Sequence, residues 1–213
     1  MEENPAFPER FFRRVDESAD GVFYTHPRLV VHIDEFAIEA IRHFFSEELP
    51  ENGSILDLMS SWRSHMPHEP RGRRIVGLGM NEVEMRENPQ LDEYVIHDLN
   101  QEPALPFDDQ VFDAVVVTVS VQYMTSPVEV FSEVRRLLKG GASFHVIYSN
   151  RMFPTKAVAV WQSLDDYRRG QLVGAYFVSS GGWDDVTVRD ISPEVGHYAD
   201  PVYVVTGRRA AEA

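Results

Sequence analysis

The sequence predicts an α/β domain built on a mostly parallel seven-stranded sheet, with helices on both faces and an antiparallel strand at its C-terminal end. Three observations predict it. Short apolar runs alternate with helix-like patterns from about residue 52 onward. The run "VFDAVVVTVS" is nearly continuous and rich in valine, as a strand covered on both faces should be. The last two runs, "VTVRDI" and "PVYVVTGR", are separated by a turn and read as an antiparallel hairpin.

The elements follow in order. Residues 1–24 are a mixed leader, and residues 1–50 together form a leader and helix ahead of the α/β domain at 51–213. A helical pattern begins near Pro27, with Ile33, Ala37, Ala40, Ile41 and Phe44 on one face, and it ends near Leu49, where "PENG" follows. "SILDLM" is a short apolar strand that reaches its end at Asp57, and "RRIVGLGM" is the second strand. "NEVEMRE" is a short helix stopped before Pro89, and "EYVIHDL" is the third strand. After the fourth strand, "SPVE" places Ser126 as a helix cap with a Pro in the first turn and a Glu three residues on. Val130, Val134, Leu137 and Leu138 give that helix its apolar stripe, and "KGG" ends it with Gly140 in a left-handed cap. "ASFHVIYS" is the fifth strand, and two helical segments follow at about 155–162 and 164–178.

Composition excludes several functions. The chain has 213 residues, 43% of them hydrophobic, and a net charge of −14, so a nucleic acid would be repelled over most of the surface. No apolar run approaches 18 residues, so no membrane span is expected. Cysteine is absent, which removes disulfides, thiolate metal sites and cysteine nucleophiles. The opening "MEENPAFPERFFRR" has no hydrophobic signal core, and a cytoplasmic protein is expected. A local basic group, Arg63 with Arg71 to Arg74, reads either as an anion site or as a solvated turn before a strand.

Three segments carry a family resemblance. They are "SILDLM", "VIHDLNQEPALPFDDQVFDAVVV" and "VRRLLKGGASFHVI". On these the chain resembles the class I S-adenosylmethionine-dependent methyltransferase superfamily, in its type 11-like form with a Rossmann-like sheet. By motif the resemblance covers roughly residues 52–148, and by element order it reaches 208. It implies S-adenosylmethionine as cofactor and methyl transfer to a small molecule. It also implies that Asp98 meets the adenine amino group and that Leu99 lines the adenine ring. The loop from Ser120 to Tyr123 would pass under the methionine part into the acceptor pocket, and the N-terminal helix would lie over that pocket as a lid.

The chain departs from the family at two places. The family's first loop reads Asp-x-Gly-x-Gly-x-Gly, and here those positions hold Asp57, Met59, Ser61 and Arg63. Glycine serves where backbone takes positive φ or approaches a ligand closely. Pro67 and Pro70 also limit the following helix to about one turn. The second strand ends at Gly79 instead of the acid that holds the ribose hydroxyls, leaving Asn81 or Glu82 as substitutes by reach.

The altered loop is still polar. Ser60 and Ser61 can donate hydrogen bonds where glycine backbone usually does. Arg63 can clamp a carboxylate, and Trp62 can cover a ligand group. Alternatively, these large side chains fill the pocket themselves. His65 and His68 with Glu69 make a weak metal pattern interrupted by Pro67, and no metal is expected. Of the polar groups in "GVFYTHPRLVVHID", His32 near Asp34 is a candidate general base and Tyr24 a candidate pocket wall; a solvent-facing amphipathic helix is the plainer reading. Tyr123 and Asn150 follow the fourth and fifth strands and are the other candidate catalytic groups, with Gln122 and Arg151 beside them. Methyl transfer draws mostly on in-line positioning, so the sequence demands no single base. A monomer or homodimer is expected.

Overall fold

The computed structural model describes residues 7–67, 72–194 and 198–211. A 3-10 turn at Glu9–Phe12 comes first among the described residues. Helices α1 (Asp20–Phe23) and α2 (Glu35–Glu48) follow, then strand β1 (Asn52–Leu58). Next come β2 (Gly72–Gly79), α3 (Glu82–Arg86), β3 (Glu93–Ile96) and β4 (Phe112–Thr118). The C-terminal half holds α4 (Pro127–Leu137), β5 (Leu138–Tyr148), α5 (Ala159–Gln162) and α6 (Asp166–Ser180). Strands β6 (Trp183–Asp190) and β7 (Tyr203–Arg209) finish it.

The seven strands lie in the order β3-β2-β1-β4-β5-β7-β6. The first five run parallel, and β7 runs antiparallel to both β5 and β6. Strand order reverses between β1 and β4, where the crevice at the carboxyl ends of the strands becomes the expected ligand site. β1 and β4 stand at the centre, with Ile55, Leu56, Val115, Val116 and Val117 fully buried. Their side chains alternate between two cores, which is why their sequences carry no polar alternation. Ile55, Ala114, Val116 and Ile147 pack with Ala37, Ile41, Phe44 and Phe45 of α2. Leu56, Val115, Val117 and Phe144 pack on the other face with Val130, Phe131 and Val134 of α4 and with Tyr176 and Phe177 of α6.

Several boundaries differ from the sequence expectation, each for a local reason. α2 starts at Glu35 and not near Pro27, because Asp34 caps it by accepting the Ala37 N–H at 2.8 Å. Ser126 precedes α4 without a side-chain cap bond. That helix passes straight into β5 at Leu138, and Gly141, at φ 78°, takes the left-handed turn expected of Gly140. α5 shrinks to one turn, while α6 begins after Asp165, whose side chain accepts the Arg168 N–H, and stops at Gly181, φ 66°. No helix forms between residues 59 and 67, not even the single turn expected there. The side chains of Asn88 and Gln90 hold that segment in place by donating to the carbonyls of Ser61 and Met66.

Candidate functional site

A cavity of about 660 Å³ opens at the carboxyl ends of β1 to β5. That volume lies within the range of small-molecule sites. Asp57, Ser60, Ser61, Arg63, Asn81, Asp98, Leu99 and Ser120 line it, and so do His32, Tyr123 and Asn150. The topology thus gathers into one space residues separated by more than a hundred positions of chain.

The loop after β1 keeps a glycine-like path without glycine. Met59 has φ 58°, a conformation that costs a non-glycine residue of order 1 kcal/mol or more. The turn lets the Ser60 N–H donate to the Leu78 carbonyl at 2.8 Å, carrying the loop across the end of β2. A Cβ added at Gly79 would fall on the Ser60 carbonyl oxygen and 2.7 Å from the Met85 sulfur. The glycine on β2 therefore serves the loop's close approach, and the loop's backbone stands where an acid on that strand would need room. Gly79→Asp is expected to lower the melting temperature by about 2–12 °C, because overpacking costs about 1–3 kcal/mol and each kcal/mol is worth about 2–4 °C at this size. A thermal melt checks this, and an unchanged midpoint would mean the loop relaxes freely.

Beneath this loop lies Asp57, 3% exposed, accepting the Ser60 hydroxyl at 2.6 Å. Burial pushes its carboxyl up to about 6, against the pull of the Ser60 and Ser64 hydroxyls. Arg63 does not extend as a clamp in this state. Its guanidinium lies 3.9 Å from the centre of the Trp62 ring, and Nη1 donates to the Trp62 carbonyl. Trp62 in turn donates its indole N–H to the Val30 carbonyl. The arginines beyond are structural. Arg73 donates to the Leu49 and Pro50 carbonyls behind α2, and Arg74 pairs with Glu93; Arg71 lies outside the described residues. His65 is pushed down to about 4, first by burial and then by Arg42 and Arg63, so it is neutral at pH 7. His68 and Glu69 lie outside the described residues, among which no group of three possible metal ligands occurs.

At the end of β2, Asn81 is committed. Its Oδ1 accepts the Glu84 N–H, capping α3, and its Nδ2 donates to the Tyr24 carbonyl at 2.8 Å. Glu82 is exposed and does not line the cavity. The acid present is Glu84, 7% exposed, which accepts the Ser61 hydroxyl at 2.6 Å and the Arg28 N–H at 2.7 Å. Sequence reasoning missed Glu84, although the Asn-x-x-Glu spacing from Asn81 is the signature of a capped helix start. At the end of β3, Asp98 holds its own turn. Oδ1 accepts the N–H groups of Asn100 and Gln101, and Oδ2 accepts the Gln101 amide at 2.9 Å. It lines the cavity as well.

Beyond β4, Val119 has φ 54°, unusual for a β-branched residue, and so turns the chain sharply into Ser120. A 3-10 turn at Val121–Tyr123 then brings the Tyr123 oxygen to accept the Phe153 N–H at 2.8 Å. Burial raises the Tyr123 hydroxyl above its ordinary pKa. Gln122 is fully buried and bridges the loops after β4 and β5 through the Val119 and Arg151 carbonyls. Asn150 is exposed at the rim. Phe153 lines the cavity and packs against Phe23, and Trp161 is buried.

The leader roofs this space. Asp20, Tyr24, Arg28 and Val30 to Ile33 all line it, so the roof is mostly irregular chain while α2 packs on the sheet. His32 does not pair with Asp34, which caps α2; the backbone N–H groups of Asp34 and Asp200 each donate to the other's carboxylate. Burial, then the charge of Arg28, holds the His32 imidazole below its ordinary value. The roof is anchored where Asp20, 4% exposed, meets Arg14 Nη1 at 2.7 Å, Lys156 Nζ at 3.1 Å and the Asn100 amide at 2.8 Å.

Known proteins share this arrangement. The family model described as a methyltransferase domain matches residues 65–146. No curated protein matches the chain. Among solved structures, the methyltransferase in complex with the Trm112 methyltransferase activator of Haloferax volcanii is 14% identical, with 84% of this chain and 92% of that one covered and a TM-score of 0.61. A [4+2]-cyclase, SpnF, is 13% identical over 90% and 92% of the two chains, with a TM-score of 0.59. A SAM-dependent methyltransferase from Aquifex aeolicus is 13% identical over 84% and 91%, with a TM-score of 0.58. Identities this low speak for the fold. With the strand order, they show that the chain has the fold of the class I S-adenosylmethionine-dependent methyltransferases.

Proposed function

We propose that this protein transfers a methyl group from S-adenosylmethionine to a small molecule. The observation that carries the proposal is a cavity lined on one side by the ends of β1 to β3 and on the other by the leader and the loops after β4 and β5. S-adenosylmethionine supplies a methyl group on a positively charged sulfur when bound. Asp98 holds the adenine amine with the accepting capacity its turn leaves over, and Leu99 gives the ring an apolar wall. Ser60, Ser61 and Arg63 hold the methionine end, and the chain from Ser120 forms the floor. Tyr123 and Asn150 orient the acceptor. His32, kept neutral near pH 7, takes a proton from it. The Ser60 and Ser61 hydroxyls and Arg63 at the methionine end, like Asn81 and Glu84 at the sugar end, already donate to or accept from neighbours, so a bound cofactor would have to re-pair them.

Calorimetric titration with S-adenosylmethionine and S-adenosylhomocysteine tests the reading. Binding below about 1 mM is expected, and no heat at that concentration would overturn it. Asp98→Ala should weaken whatever binding is seen by about tenfold, equivalent to about 1.4 kcal/mol. An unchanged affinity would remove Asp98 from the site. The Ser60 carbonyl packed on Gly79 favours a second reading, a methyltransferase-fold protein that binds a ligand without transferring a methyl group. Failure of both titrations would leave that reading standing.

A further inference from the structure

One wall of the cavity carries positive charge in an otherwise acidic molecule, and Phe153 is its hub. The Arg28 guanidinium lies 5.4 Å from the centre of the Phe153 ring and 4.4 Å from that of Phe23. The His32 ring packs edge-on to Phe153 at 4.9 Å. Arg151 reaches the His32 carbonyl through Nε at 3.4 Å. Arg28, His32, Arg151 and Phe153 all line the cavity. Tyr123 stacks on Phe153 at 5.9 Å, 28° between planes, extending an aromatic surface beside the charges.

Arg28 makes no ion pair among the described residues, and Arg151 makes one loose pair, through Nε with Asp200. Arg28 spends Nη2 on the Phe23 carbonyl, and its Nη1 is buried without a hydrogen bond. The Arg151 side chain is 59% exposed, with Asp200 3.9 Å from Nε, and its Nη groups make no hydrogen bond among the described residues. The carboxylates on the same side are already engaged. Asp20 sits between Arg14 and Lys156, and Glu84 accepts from the Ser61 hydroxyl and the Arg28 N–H. Both guanidiniums also bear on His32, each pushing its imidazole towards the neutral form. A guanidinium seated on aromatic rings is weakly hydrated and keeps its fork for a planar anion.

We infer that the acceptor is a small molecule with a planar apolar body and a carboxylate, the body against Phe153 and Tyr123 and the carboxylate held by Arg28 and Arg151. The word acceptor rests on the methyl-transfer reading; the anion site does not. The test titrates benzoate and cinnamate, and their matched amides benzamide and cinnamamide, into the protein alone and into protein saturated with S-adenosylhomocysteine at constant ionic strength. At least one acid should bind about tenfold tighter than its amide. Arg151→Gln, at a half-exposed side chain, should bring the acid down to the amide's level without moving the melting temperature. Acids that bind no better than amides, no binding of either acid up to about 10 mM, or a preference that survives Arg151→Gln would overturn the inference. If S-adenosylhomocysteine fails to bind while the acid preference holds in the protein alone, the cofactor reading falls and the anion site stands.

Discussion

Replacing Lys156 with methionine should lower the melting temperature by about 10 °C. Removing one partner of a buried ion pair costs about 3–5 kcal/mol, and each kcal/mol moves the midpoint by about 2–4 °C in a domain of this size. Lys156 has no exposed surface. Its ammonium donates to the Ser18 carbonyl at 2.6 Å and stands 3.1 Å from Asp20 and 3.4 Å from Asp16. Methionine fills the stem's volume but leaves those acceptors without their donor. Burial presses the Asp20 carboxyl upward, yet bonds from Arg14 and Asn100 prevail and hold it below its ordinary value. Its share of stability is therefore present above about pH 4 and lost as pH falls through the depressed value. Adding Asp20→Asn to the lysine variant should recover part of the loss, as coupled neighbours do. A midpoint shift under about 2 °C for Lys156→Met would show that the cluster is not holding the leader.

Asp57→Asn should act in the opposite direction. The Asp57 carboxyl, ordinarily near 3.8, is pushed up to about 6 in the folded chain. A raised carboxyl pKa means the folded state prefers the protonated form. The resulting contribution is fully present below about pH 4 and is lost as pH rises through about 6. Integrated between pH 7.5 and 4.5, it amounts to about 2 kcal/mol of stability gained on acidification. Asparagine has the same shape and keeps an acceptor for the Ser60 hydroxyl, but does not titrate. Relative to the parent, the variant should therefore gain about 2 kcal/mol more at pH 7.5 than at pH 4.5, read from urea melts at both values. A difference that does not change with pH would place the titration elsewhere.

Much of the sheet was legible because each strand carries its own signal. The β-branched run of β4 and the late hairpin needed no knowledge of distant residues, and together with the helix-like runs they fix a parallel core with an antiparallel end. The candidate site was legible where it follows strand ends, so Asp98, Ser120, Tyr123 and Asn150 line one cavity. What escaped depends on partners far along the chain. The path of residues 59–67 is set by Leu78, Asn88 and Gln90. The roof over the cavity is set by Asn81, Glu84, Asn100 and Lys156. Arg28 looked like one polar group among several, and only packing on Phe23 and Phe153 gives it a direction.

Three hydrogen bonds tie the roof to the body of the domain: the Arg28 N–H to Glu84, the Asn81 amide to the Tyr24 carbonyl and the Trp62 indole to the Val30 carbonyl. A ligand seated beneath the roof with those bonds in place binds without a costly rearrangement at equilibrium. The cost falls on passage instead. Each arrival and each departure waits for those ties to part, so the dwell time of a molecule inside reflects the latch as well as the molecule's own grip. Loosening the latch should hasten traffic in both directions while leaving the dissociation constant nearly where it was.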